Sequence, residues 1–116
     1  MTLSISAYSG SGTISTTEIS MTTGSSGPAV NTTAGIYQAY IDCNAMTAAD
    51  EFQFAVYEKA VSGGTQRQVL NVHFRGVQAT PITVSPSLML GIGWDMTLLK
   101  IAGTDRSLPY RIAQVV

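Results

Sequence analysis

The chain has 116 residues, enough for one domain around one core, and 45% of them are hydrophobic. Only 11% are charged, against about 25% in an average soluble domain, so Ser, Thr and Gly, or covering partner chains, must keep it from self-associating. The net charge of −1, with Lys59, Arg67, Arg75, Lys100, Arg106 and Arg111 scattered along the chain, excludes a basic nucleic-acid patch, and the single Cys43 excludes an internal disulfide and a Cys-rich zinc site.

In chain order, the apolar period is close to two. Leu3, Ile5 and Ala7 alternate with Ser4 and Ser6, which predicts a strand over 2–8. SGSG at 9–12 is a turn. Ile14, Ile19 and Met21 then sit in a strand-compatible run rich in β-branched Thr. TTGSSGPAVNTTAG at 22–35 has no charge and little bulk, and its Gly and Pro exclude a helix or strand interior. It predicts a long loop inside the domain. GIYQAYIDC at 35–43 resumes the alternation, with Tyr37, Ala39, Ile41 and Cys43 toward the core. NAMTAADE at 44–51 is too short for a stable helix and reads as a turn.

FQFAVYEKA at 52–60 turns Phe52, Phe54 and Val56 inward, and SGGT at 62–65 is a hairpin turn. QRQVLNVHFRG at 66–76 puts Leu70, Val72 and Phe74 in and Asn71, His73 and Arg75 out. Pro81 and Pro86 mark 80–90 as edge strand or loop. GIGW at 91–94 is a tight turn that delivers Trp94 to a strand over 93–103. A turn at 103–105 leads to the last strand, with Leu108, Tyr110 and Ile112 on one face. Seven or eight short strands at this spacing predict an all-β fold: a small antiparallel β-sandwich, jelly-roll or immunoglobulin-like, over 1–116. No stretch approaches the ~20 apolar residues of a membrane helix, and no leader pattern opens the chain, so the expected compartment is the cytoplasm and no membrane partner is expected.

Residue chemistry names no reaction. His73 is the only histidine, on a polar strand face, with no nucleophile motif nearby in sequence. Asp42, Asp50, Glu51, Glu58, Asp95 and Asp105 show no calcium-loop spacing. Asp42, Asn44 and Asp105 read as turn formers, and Asp105-Arg106 as a surface charge pair. Trp94, Tyr37, Tyr40, Tyr57 and Tyr110 could build a sugar-stacking platform, or serve as core and rim. Cys43 reads as a small buried apolar group. The expectation is a non-enzyme with no catalytic, cofactor-binding or metal-ligating residue. From Met1 to Ile41 the only charge is Glu18, so residues 1–34 form a polar segment expected to contact neighbouring chains.

GIYQAYIDCNAMTAADEFQFAVYEK, the GGTQR turn and SLMLGIGWDMTLLKIAGTDRSLPYRI resemble a recurring small virion protein of tailed bacteriophages. Gly35, Tyr37, Asp42, Asn44 and Met46 fit its first strand and turn. Trp94, Asp95, Thr97, Leu98, Lys100 and Gly103 to Arg106 fit its last hairpin. The resemblance covers residues 35–116. It implies a capsid cement (decoration) protein, or alternatively a tail or fibre module that binds a host glycan or another tail protein. The implied partners are the major capsid protein and further copies of the chain, a trimer foremost, in the virion.

Overall fold

The computed structural model describes residues 2–116. Among them there are eleven strands and no helix: β1 (Leu3–Gly10), β2 (Thr13–Ile14), β3 (Ile19–Ser20), β4 (Gly35–Asp42), β5 (Glu51–Glu58), β6 (Arg67–Arg75), β7 (Ile82–Val84), β8 (Leu88–Leu90), β9 (Asp95–Ala102), β10 (Arg106–Ser107) and β11 (Tyr110–Val115). β2, β3 and β10 are only two residues long; β1, β4, β5, β6, β9 and β11 are the strands that alternation predicts, and β7 and β8 are short strands in the proline-marked stretch 80–90.

Every strand pair is antiparallel. One sheet runs β1-β11-β4, with β7 and β8 sharing the far edge of β4; the other runs β3-β9-β5-β6. A small β10-β2 pair stands apart. The two large sheets pack face to face as a β-sandwich. Their inner faces supply one core: Tyr37, Ala39, Ile41 and Ile112 from the first sheet, Phe52, Phe54, Val56, Met96 and Leu98 from the second. Period-two alternation produces this directly, because successive side chains leave a strand on opposite faces.

Pro86 sits where the sheet edge changes from β7 to β8. There Ser85 takes over the pairing. Its N–H donates to Ala39 O at 2.9 Å, and its hydroxyl accepts from Ala39 N at 2.8 Å. The edge placement expected of Pro81 and Pro86 holds.

Three expectations need correction. β1 continues to Gly10, so the turn shrinks to Ser11-Gly12. The run 14–21 is two bridges, β2 and β3, separated by a bend at Thr16-Thr17. Of the inward trio on β6, Phe74 is buried, Leu70 is half-buried and Val72 remains 36% exposed. The reason is topological: β6 ends its sheet, and nothing beyond it covers those side chains.

Residues 22–35 form the long loop that the sequence predicts, and it lies against its own domain. Asp95, fully buried at the start of β9, anchors it. One carboxylate oxygen accepts from the Thr22 hydroxyl at 2.9 Å and from the Asn31 amide at 3.3 Å; the other accepts from Ala29 N at 2.7 Å. Gln66 donates to Ala29 O and Gly93 O. Tyr37 and the Trp94 indole both donate to Thr33 O. The outer side of the loop, Thr23 to Ser26, is exposed.

Candidate functional site

His73 faces outward on β6, opposite Gln53 of β5. Its Nδ1 lies 2.7 Å from Glu51, whose other oxygen accepts from Arg75 at 2.8 Å. The His73 bond first, and then Arg75, hold the Glu51 carboxyl below its usual range. A carboxylate that orients an imidazole is half of a catalytic constellation. Here the imidazole is 44% exposed on an open sheet face. Among the described residues no hydroxyl or thiol is hydrogen-bonded to it.

Asp50 was read as a loop acid beside a strand. It is 1% exposed and joins two loops. Backbone N–H groups of Thr104 (3.0 Å) and Thr47 (2.8 Å), with the Arg106 guanidinium (2.9 Å), hold its carboxyl at about 2. Asp105 ion-pairs with Lys100 and Arg106 with Asp50, which replaces the expected Asp105-Arg106 pair. The pairing follows from the turn: Gly103, at φ +89°, folds Thr104 and Arg106 over Asp50. Asp42 does form its turn, accepting from Asn44 N at 3.0 Å. No group of three or more His, Cys, Asp or Glu is arranged to hold a metal among the described residues.

The five aromatic candidates do not share a surface. Trp94 and Tyr37 are fully buried and stack at 4.1 Å, and Tyr8 meets Trp94 edge-on. Tyr110 is buried, and burial raises its phenol pKa. Tyr57 and Tyr40 lie half-buried on different sheets. Burial, and then the Glu18 bond at 2.6 Å, raise the Tyr57 phenol. Cys43 is buried as expected, and burial raises its thiol. A thiol in that setting is a poor nucleophile.

The feature that alternation did not single out is the outer face of the β1-β11-β4 sheet. Outward positions there are apolar too. Leu3 and Ile5 on β1 are 61% and 57% exposed, and Ile36 on β4 is 43% exposed. Beyond β4, Met89 opposite Ile36 is 83% exposed and Val84 opposite Tyr40 is 47% exposed. The apolar side chains gather at one end of this face, and Ser9, Gln38, Tyr40, Asp42 and Arg111 occupy the rest. Arg111 lies over the Tyr40 ring at 3.7 Å, in a cation–π contact, beside Gln38 and Asp42. Two shallow depressions, about 340 and 240 Å³, meet at Tyr40 and Arg111. The signal for this face was present in the sequence, since Leu3, Ile5, Ile36 and Met89 are apolar at outward positions. Only the strand order shows that they adjoin.

The outer face of the second sheet differs in kind. It carries Glu51, Gln53, Tyr57, Gln68, Asn71, His73 and Arg75. The first sheet thus carries an apolar cluster at one end of its outer face, and the outer face of the second is mostly polar. Comparison with protein-family models, curated proteins and solved structures finds no match to this chain.

Proposed function

We propose that this protein works as a non-enzymatic structural module that docks onto a larger assembly through the outer face of its β1-β11-β4 sheet. The observation that supports the reading is that face, with Leu3, Ile5, Ile36, Val84 and Met89 exposed on adjoining strands. A sheet four strands wide and about eight residues long spans roughly 19 by 26 Å, or about 500 Å² per partner. That makes about 1,000 Å² in total, at the lower bound of specific interfaces. An apolar patch of a few hundred Å² is about the largest an ordinary monomer exposes, and such patches are often where a partner docks.

In this reading, which takes the assembly from the resemblance of residues 35–116 to small virion proteins, the chain is cement in the head of a tailed-phage particle and bridges major capsid subunits, as a trimer. Spreading contact over adjoining subunits would resist internal pressure without any reaction. The tail is the alternative station, with a host glycan or another tail protein as partner.

The test is co-sedimentation of the purified protein with particles from its own source, for wild type and for a Leu3→Asp/Met89→Asp variant. Both side chains are exposed and the two positions are not paired with each other, so circular dichroism and thermal melting should match wild type. Wild type pelleting with heads, and the variant staying in the supernatant, is the expected result. Pelleting with isolated tails instead assigns the tail. The reading is refuted if wild type ignores the particles, or if both proteins pellet alike.

A further inference from the structure

On the side opposite β3, the second sheet ends at β6, a nine-residue strand whose outer backbone edge pairs with no strand among the described residues. The sandwich is open there. Facing β6 across the gap is β7, only three residues long. Between them lies a cavity of about 80 Å³, lined by Phe54, Leu70, Val72, Phe74, Thr83 and Pro86 among others. It has room for one aliphatic side chain. Val72 points into this gap and yet is 36% exposed. An edge with free N–H and C=O groups above an apolar cleft is the arrangement that accepts an added strand.

The charges say which strand. β6 carries Arg67 and Arg75 near its ends and His73 between them, and no acid. The Arg75 side chain is 79% exposed. Glu51 faces both Arg75 and His73 from β5, but its side chain is only 13% exposed. Glu58 lies opposite Arg67, with a carboxylate oxygen taken by Gly91 N and Ile92 N. A second copy fits poorly. Full antiparallel overlap of two β6 strands, centred on Asn71, sets Arg67 against the other copy's Arg75 at both ends, and like charges directly opposite are destabilising. We propose that the free edge of β6 binds an extended acidic segment of a partner protein as an added antiparallel or parallel strand. One aliphatic side chain of that segment fills the gap beside Val72, and its neighbours at alternate positions face the same way along the edge. This edge is separate from the docking face described above and does not depend on it.

The experiment uses the full chain and labelled, end-capped nine-residue peptides: alternating Glu and Val, alternating Lys and Val, and the Glu/Val peptide N-methylated at every second amide in each of the two frames. Fluorescence anisotropy measures binding, and hydrogen exchange maps it. The Glu/Val peptide binds saturably and protects residues 67–75, at least tenfold more tightly than Lys/Val. One N-methyl frame abolishes binding and the other retains it, because only one set of alternate amides faces β6. In Arg67→Gln/Arg75→Gln, which removes both surface charges without setting a new acid opposite Glu51 or Glu58, the wild-type preference for Glu/Val over Lys/Val is lost. The proposal is overturned if neither peptide binds, if both bind alike, or if the two N-methyl frames behave identically. It is also overturned if light scattering shows a dimer in which residues 67–75 are protected from hydrogen exchange, since the edge then serves a second copy.

Discussion

Replacing Asp95 by Ala should release the 22–35 loop from the sandwich. The carboxylate accepts from the Thr22 hydroxyl, the Asn31 amide and Ala29 N. Two of these donors have substitutes: the Thr22 hydroxyl can turn to Ser20 Oγ at 3.0 Å, and the Asn31 amide already reaches Trp94 O at 2.9 Å. Ala29 N has no second protein partner. Orphaning it costs about 1–3 kcal/mol, and the two rerouted bonds add about 1 kcal/mol. The sum is about 2–4 kcal/mol. At about 4 °C per kcal/mol for a chain of this size, the melting temperature should fall by about 8–16 °C. Asp95→Asn keeps one oxygen for Ala29 N and can donate toward Thr22, so its loss should be about 1 kcal/mol. Thermal melting gives the magnitudes, and amide exchange at Ala29, Asn31 and Trp94 localises them. The reasoning fails if Asp95→Ala melts within about 3 °C of wild type and exchange over 22–34 is unchanged.

Other consequences can be measured on the same protein. Phe54→Ala, at a site 2% exposed, should cost about 3–5 kcal/mol, while Val72→Ala at the open edge should cost less than about 1 kcal/mol; denaturant titration separates them. The Asp50 carboxyl titrates at about 2 when folded, below its ordinary 3.8. Its stabilisation is therefore complete above about pH 4 and is lost as pH falls toward 2; acid unfolding of Asp50→Asn should lack that part of the dependence. A Cβ at Gly103 would lie 2.7 Å from Asp50 Cα and 2.8 Å from Ala49 O, at a φ of +89°. Gly103→Ala should destabilise by at least about 1–2 kcal/mol from the backbone conformation alone, whereas Gly12→Ala, in open space, should be nearly neutral in the same titration.

The particular residues show why some features were legible and others were not. Tyr37-Ala39-Ile41 and Phe52-Phe54-Val56 were readable as core because strand alternation is local: each side chain's face follows from its neighbours along the chain. Asn44 N bonding to Asp42 was readable for the same reason. Asp50 and Asp95 were not. Their partners lie 54 and 66 residues away, at Thr104 and Ala29, and nothing local distinguishes a buried carboxylate with donors around it from a solvated one. Trp94 read as core more readily than as a surface platform, and it is buried; what no local pattern showed is that the loop carrying Thr33 caps its indole.

The sequence by itself determined an all-β sandwich, its inward-facing residues, its turns and its long uncharged loop, because period-two patterning and turn chemistry act over a few neighbouring residues. The tertiary structure alone decided that Leu3, Ile5, Ile36 and Met89 merge into one apolar cluster, and that β6 is left as an open cationic edge. Both depend on which strands lie side by side. That order is set by packing between segments far apart in the chain, and no local pattern encodes it.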